Sequence, residues 1–279
     1  MSADPSDAPI PVSLFWYQTD VPPQVQDCMA SWNAHPGLHA TPYSLAEARA
    51  FLDRSCGPEV RQHFETCAPY AMASDVLRMH LLLVRGGLYV DANWAQITPI
   101  RPLLDRVHAS GQSGLIADIT ALSASFGDPF TDAALEMGCE MLLNGFVYAS
   151  APQDLFLSLC AEINGRNIAA RSCEQIAFAA GSGVMSMVLF LRNFERRDAY
   201  LDALQALGGK TFFGHDVRGS LDMVAEVTAA HDHAKLRAAF AQIATIPGPE
   251  LEAFMSRDGL GQTHKDHWTR HKGSLYRDA

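Results

Sequence analysis

Residues 70–94, YAMASDVLRMHLLLVRGGLYVDANW, combine a long apolar segment, a pair of glycines and a short strand-like run. The segment 70–85 is apolar on almost every side at helical spacing, which predicts a buried α-helix. Gly86 and Gly87 end that helix, because glycine adopts the backbone conformations that follow a helix without steric cost. The run 88–91 then predicts a short strand near the centre of a sheet.

The segments before this stretch alternate between strand and helix. Residues 1–11 are rich in Pro and Asp and predict a flexible N-terminal arm, and residues 12–18 predict the first strand. A helix that opens with two prolines separates it from a second predicted strand over 38–43. Ser44 and Glu47 then predict a capping box at the start of another helix. This alternation predicts an α/β fold with a mainly parallel central sheet.

The segments after this stretch are strand-like at first and then mostly helical. Strands are predicted over 114–119 and 145–149. Helices are predicted over 152–164, 172–179, 183–194, 197–207, 229–245 and 249–256. Since no repeat or linker interrupts the chain, we predict one domain over 12–279. It has a core over 12–195 and a helical C-terminal part over 196–279.

Composition excludes several classes of function. Hydrophobic residues make up 48% of the 279 residues and charged residues 19%, which is a globular balance. The formal net charge is −10, so nucleic acid is not an expected partner, because nucleic-acid-binding surfaces are basic. The chain has no apolar run long enough to predict a transmembrane segment. Its N-terminus lacks the basic and apolar regions of a signal peptide, so a cytoplasmic protein is expected, either free or peripheral at the inner membrane.

The buried helix carries two opposite charges. Asp75 and Arg78 are three residues apart and therefore share a helix face. Charged groups in apolar surroundings need a partner or a ligand. The pair is thus either an internal ion pair or part of a binding site.

Two oxygen-bearing side chains follow the central strand. Asp91 and Asn93 are two apart, so an extended backbone would direct both to one face. Ligands of open α/β sheets bind beyond the carboxyl ends of the strands. The two side chains there could hold a hard divalent cation that neutralises a diphosphate. A simple Asx turn that closes the strand is the alternative.

Together these residues form the pattern A-S-D-x-x-R over 73–78, followed by G-G-x-Y-x-D-x-N over 86–93. The pattern closely resembles the DxD region of the family 32-like glycosyltransferases, which are related to yeast initiating mannosyltransferases and to clostridial glucosylating toxin domains. Further segments resemble the same family: LFW at 14–16, SWNAHPG at 31–37, NGFVYAS at 144–150 and GSG at 181–183.

The resemblance implies a GT-A type fold and a metal-dependent, retaining transfer from a UDP- or GDP-sugar. It assigns catalytic roles to Asp75, Arg78 and Asp91. It places the donor against Trp16, Asp75, Arg78, Gly87, Tyr89, Asp91, Asn144 and Gly181, with Trp16 stacked on the nucleobase. Mn²⁺ or Mg²⁺ would be bound by Asp91 and Asn93, with His267 as a further candidate ligand. Asn93 departs from the family, where a second carboxylate is usual, so weaker metal binding is expected.

The C-terminal segment is a second candidate for chemistry. His264, His267 and His271 fall on one helical face, which fits a solvated helix face or a metal site. The resemblance adds a third interpretation, because the family closes a C-terminal segment containing His and Trp over the donor. Here Tyr276 stands where that segment has a tryptophan.

Three functions are compatible with these observations. The first is a glycosyltransferase of polysaccharide biosynthesis that acts on a glycan or glycolipid, for which we expect a bacterial capsule or lipopolysaccharide. The second is a catalytically weakened protein that still binds a nucleotide-sugar, a possibility raised by Asn93. The third is a metal-dependent hydrolase that uses Asp91 and the C-terminal histidines.

Overall fold

The computed structural model describes residues 8–256, with gaps at 68, 122–131, 133–134, 137, 171–178, 191–198, 200–201, 203–205 and 207–217. Its centre is a six-stranded sheet with the strand order β2-β1-β3-β6-β5-β7. These strands are β1 (Ile10–Phe15), β2 (Leu38–Tyr43), β3 (Gly87–Val90), β5 (Gly114–Asp118), β6 (Leu142–Ala149) and β7 (Ile243–Pro247). A separate two-stranded sheet pairs β4 (Ala95–Gln96) with β8 (Met255–Ser256).

The central sheet is mostly parallel, as predicted. Strand β1 pairs in parallel with β2 and β3, and β5 pairs in parallel with β7. Only β6 runs antiparallel to its neighbours β3 and β5. The start of β6 therefore lies at the edge where β1, β3 and β5 end. This mixed α/β architecture is consistent with the expected GT-A type, and it brings residues of β6 beside the carboxyl end of β3.

Helices cover the sheet on both faces. They are α1 (Pro23–Ser31), α2 (Leu45–Ser55), α3 (Pro58–Thr66), α4 (Tyr70–Arg85), α5 (Arg101–Ala109), α6 (Leu155–Ala170), α7 (Ser182–Phe190), α8 (Arg218–Ala229), α9 (His233–Phe240) and α10 (Gly248–Leu251). Helix α4 has the predicted bounds at both ends. The predicted capping box also forms, since the Ser44 side chain accepts from Glu47 N–H and the Glu47 side chain accepts from Ser44 N–H.

Strand β3 separates two apolar cores. Leu88 and Val90 are buried on one face, in a core that includes Trp32 of the α1 side and Leu104 of α5. Tyr89 is buried on the other face, where α4, α6 and α7 pack. Because side chains alternate along a strand, the position after Val90 faces the same way as Tyr89, toward α4. The fold therefore directs Asp91 toward the helix that carries the buried charges.

Several predicted boundaries differ from the structure. Strand β1 begins at Ile10, inside the predicted arm, because residues 10–15 pair with β2 along their whole length. Residues 243–245 were expected in a helix, yet Ile243–Pro247 forms β7 and extends the main sheet next to β5. Within the expected helix 249–256, only a short helical turn forms before β8. The C-terminal part is therefore not purely helical.

Other predictions fall partly or wholly outside the described residues. The expected helix over 172–179 and most of the one over 197–207 belong to this group, as do the C-terminal histidines. In the part of the chain that the structure describes, no helix is both long and apolar enough to cross a membrane. The cysteines within the same residues form no disulfide with one another.

Candidate active site

The Asp91 carboxylate lies at the carboxyl edge of the central sheet. Its backbone N–H donates to the Gly145 carbonyl at 3.0 Å, which fixes Asp91 to the start of β6. Trp94 N–H donates to the Asp91 carbonyl, also at 3.0 Å, so the chain reverses in a turn over 91–94. The Asp91 side chain is 37% exposed. A ligand at this edge of the sheet could therefore reach it.

Arg78 joins the two carboxylates of the site. Its Nη1 donates to Asp75 Oδ1 at 2.6 Å, and its Nη2 donates to Asp91 Oδ1 at 2.8 Å. The guanidinium carbon lies 4.5 Å from the centre of the Tyr89 ring, in cation–π contact. The Arg78 side chain is only 3% exposed. The internal ion pair considered from the sequence is thus present, and it extends to Asp91.

Two serines to which the sequence analysis assigned no role support this arrangement. Ser74 Oγ lies 2.8 Å from Tyr89 OH and accepts from Arg78 Nη2 at 3.3 Å. Ser182, the first residue of α7, donates through Oγ to Asn144 Oδ1 at 3.0 Å. Ser74 precedes Arg78 by four residues, and that helical spacing was a usable signal for its role. No local pattern places Ser182 beside Asn144, which is distant in sequence.

Asn144 connects β6 to the buried charges. Its Nδ2 donates to Asp75 Oδ1 at 2.7 Å, while Ser182 binds its amide oxygen. The Ser182 contact fixes which end of the amide faces Asp75. A continuous hydrogen-bonded chain therefore runs from α7 through Asn144, Asp75 and Arg78 to Asp91.

Burial and charge set the protonation of the network. Burial raises the pKa of Asp75, and Arg78 opposes this rise. Burial alone would lower the pKa of Arg78, but electrostatic interactions with its neighbours, of which Asp91 is the strongest, more than reverse the effect, so its pKa is raised. Burial also raises the pKa of Tyr89 to about 12. Arg78 therefore stays charged and Tyr89 stays neutral at physiological pH.

Trp16 lies at the same edge, just beyond the end of β1. Its backbone N–H donates to the Tyr43 carbonyl at 3.0 Å, and its ring stacks on Tyr17 with centroids 5.8 Å apart. The indole Nε1 is buried and has no hydrogen-bond partner among the residues that the structure describes. Because β1 and β3 are neighbouring strands, Trp16 and Asp91 border the same edge of the sheet.

The two glycines assigned to the donor have different positions. Gly87 begins β3, four residues before Asp91, which places it about 13 Å away along an extended strand. It has a φ of 83°, and a Cβ there would lie 2.3 Å from the Pro11 carbonyl oxygen. Gly87 thus allows β1 to approach β3, and the structure does not bring it to Asp91. Gly181 is buried and directly precedes Ser182 of α7, next to Asn144.

Asn93 is placed by a turn and not by a strand. The prediction that Asp91 and Asn93 leave the same face assumed an extended backbone, but β3 ends at Val90 and a turn follows. The hydrogen bond that closes the turn over 91–94 puts Asn93 at its third position. The Asn93 side chain makes no hydrogen bond to any other described residue. His267 lies outside the described residues.

The turn over 91–94 offers few oxygen atoms that could bind a cation. Arg78 already occupies one oxygen of Asp91, which leaves Oδ2 of Asp91 and the amide oxygen of Asn93 as donors. No group of three His, Cys, Asp or Glu side chains that could hold a metal exists in the described part of the chain. Mg²⁺ is usually bound by one or two carboxylates together with substrate phosphates. A cation at this turn would therefore need further ligands from outside the described side chains, such as the oxygens of a diphosphate.

Gly145 leaves room for the Asp91 carboxylate. A Cβ at position 145 would lie 2.7 Å from Asp91 Oδ2. We expect Gly145→Ala to displace the carboxylate and to weaken ligand binding by about ten- to a hundredfold, since small misplacements at a site are costly. The melting temperature should change little, because the side-chain end can move. Calorimetric titration with UDP or GDP plus Mn²⁺ measures the effect.

Gly114→Ala is the matched control for this prediction. Gly114 begins β5, and a Cβ there would lie 3.1 Å from Ile243 Cδ1 and from the Tyr148 carbonyl oxygen. This variant should lose stability yet retain ligand affinity. Equal affinities in Gly145→Ala and wild type would show that Asp91 Oδ2 is not part of the binding site.

Comparisons with known proteins find similarity among solved structures. No family model and no curated protein sequence matches the chain. Among solved structures, the chain is similar to one described as PaToxG Glycosyltransferase. The two are 12% identical, the match covers 89% of this chain and 90% of that chain, and the TM-score is 0.46.

Proposed function

We propose that the chain is a glycosyltransferase that uses a nucleotide-diphosphate sugar as its donor. The observation that carries the proposal is the Asp91 carboxylate. It stands part-exposed at the carboxyl edge of the central sheet, held by a buried arginine. That edge is where α/β sheets bind their ligands. The motif around Asp75, Arg78 and Asp91 is the one that resembles the DxD region of family 32-like glycosyltransferases.

Each residue of the site has a distinct role in this proposal. Asp91 and Asn93 would hold Mn²⁺ or Mg²⁺, which when bound would neutralise the charge of the donor's diphosphate. Trp16, which is half-buried at the same edge, would stack on the nucleobase. Arg78 and Asp75 are too deeply buried to be the main donor contacts. They would instead fix the position of Asp91.

The reaction exchanges one bond at the anomeric carbon of the sugar. The bond to the diphosphate oxygen breaks, a bond to an acceptor hydroxyl oxygen forms, and that hydroxyl loses its proton. The family resemblance supports retention of the anomeric configuration and a glycan or glycolipid acceptor. A bacterial surface polysaccharide is the acceptor class that we propose.

A thermal-shift screen of nucleotide-sugars with and without Mn²⁺ tests the proposal. A ligand that binds only the native state raises the melting temperature. At least one UDP- or GDP-sugar should stabilise the protein, and Mn²⁺ should increase that stabilisation. If no nucleotide-sugar shifts the melting temperature in either condition, the donor class is wrong.

The neutral Asn93 predicts strong synergy between metal and donor. The turn supplies one carboxylate, already shared with Arg78, so free Mn²⁺ should bind weakly and the diphosphate should supply the missing charge. Linkage requires each ligand to enhance the binding of the other by the same factor. We expect Asn93→Asp to strengthen Mn²⁺ binding in the absence of donor. Calorimetric titration of Mn²⁺ into both proteins, with and without UDP or GDP, measures the difference.

Identical Mn²⁺ binding by both proteins in every condition would contradict the assignment of Asn93 as a ligand. The same neutral residue also favours a second candidate function, a protein that binds a nucleotide-sugar without turnover. In that case the screen would show a thermal shift while no nucleoside diphosphate is released at any Mn²⁺ concentration.

A further inference from the structure

The end of helix α1 contacts the segment that follows Asp91. Trp32 Nε1 donates to the Trp94 carbonyl at 2.8 Å, and both side chains are buried. Ser31 Oγ accepts from Gln96 N–H at 2.8 Å and donates to the Cys28 carbonyl at 2.6 Å. Two adjacent residues at the C-terminal end of α1 thus bind two backbone groups at and just after the end of the turn over 91–94.

With these contacts, the turn over 91–94 is hydrogen-bonded to neighbouring elements at both of its ends. At the first end, Asp91 N–H is bound to the Gly145 carbonyl of β6. At the second end, Trp94 and Gln96 are bound to α1. The packing of Ala92 and Trp94 in the same apolar core as Trp32 adds to this second attachment. Asn93 lies between the two attachments.

We propose that Ser31 and Trp32 are positioning residues that hold the turn over 91–94 in the orientation needed for ligand binding. This inference rests on the proposed function and extends it to residues that do not touch the ligand. Without the α1 attachment, the turn would populate other orientations. The ligand would then have to select the competent one, which lowers the apparent affinity by the fraction populated.

A purely structural role is the alternative, and matched variants separate the two. Ser31→Ala removes the acceptor for Gln96 N–H, whereas Ser31→Thr keeps a hydroxyl at the same position. Trp32→Phe removes the indole N–H and keeps an aromatic ring in the core. Thr228→Val is the control, because it removes a buried hydrogen bond to the Val224 carbonyl within α8, away from the turn.

The first measurement is the affinity for UDP or GDP in the presence of Mn²⁺. We expect Ser31→Ala and Trp32→Phe to bind about three- to tenfold more weakly, in proportion to the loss of one hydrogen bond. Ser31→Thr should restore the wild-type affinity. Thr228→Val should lower the melting temperature by a similar amount and leave the affinity unchanged. Equal affinities in all variants would overturn the proposal.

The second measurement is hydrogen–deuterium exchange of the backbone amides over 92–97, which needs no ligand. Faster exchange there in Ser31→Ala and Trp32→Phe, but not in Thr228→Val, would support the attachment. Unchanged exchange would overturn it. If the wild-type protein binds neither nucleotide, the proposed function fails, while the exchange rates still decide whether α1 holds the turn.

Discussion

Arg78→Met is expected to lower the free energy of unfolding by about 3–5 kcal/mol, because it removes one partner of a buried charge network. Arg78 is the cation that faces both Asp75 and Asp91. Methionine fills much of the same volume but leaves the buried Asp75 carboxylate with only the Asn144 amide to stabilise its charge. Chemical denaturation of both proteins at pH 7 measures the loss.

The loss of unfolding free energy in Arg78→Met should also depend on pH, in a direction set by the pKa of Asp75. Burial raises the pKa of Asp75, and Arg78 restrains that rise, so removing Arg78 raises the pKa further. The folded variant then binds a proton more tightly than the unfolded chain, whose Asp pKa is about 4. The free energy of unfolding of the Arg78→Met variant must therefore increase as the pH falls from 8 toward 5. The destabilisation by Arg78→Met should be larger at pH 8 than at pH 5.

Arg166→Met provides the comparison for this variant. Arg166 pairs with Glu162 and Glu226 on the surface, where its side chain is 42% exposed. Exposed pairs of this kind contribute about 0–1 kcal/mol. If Arg78→Met costs no more than Arg166→Met, the buried network does not stabilise the fold in the way the geometry indicates.

Asp91→Ala is expected to abolish donor turnover while the protein stays folded. A change in the residues that support a bound metal typically costs about 10–100-fold in affinity or activity, so loss of a direct ligand should cost about 100-fold or more. The fold should persist, because Asp91 is part-exposed and Arg78 keeps its contact with Asp75. Release of UDP or GDP from the donor and the melting temperature are measured on the same preparation.

Asp105→Ala is a suitable control for the loss of an aspartate, since Asp105 forms an exposed ion pair with Arg101 on α5. It should retain turnover. Retained turnover in a folded Asp91→Ala protein would instead remove Asp91 from the site.

The sequence predicted the parts of the fold that depend on local patterns. The apolar helix over 70–85, its end at Gly86 and the capping box at Ser44 are all present, because each depends on residues a few positions apart. The proximity of Asp75 and Arg78 was predictable for the same reason. The motif grouped them with Asp91, and the structure shows that Arg78 contacts it.

The remaining features depend on contacts between distant segments. Ile243–Pro247 forms a strand because β5 offers it an edge to pair with, which its own residues do not reveal. Asn93 was expected on an extended backbone, but β3 ends at Val90, where its pairing with β6 ends, and a turn follows. The pairing of Ser182 with Asn144 joins residues 38 positions apart.

We propose that the protein binds and cleaves a nucleotide-sugar at the turn over 91–94. The most direct test is the release of nucleoside diphosphate from UDP- and GDP-sugars by the wild-type protein, with Asp91→Ala measured in parallel across a Mn²⁺ titration. We expect release from at least one donor, an increase in rate with Mn²⁺, and loss of that release in Asp91→Ala. Release that is equal in both proteins, or absent for every donor at every Mn²⁺ concentration, would contradict it.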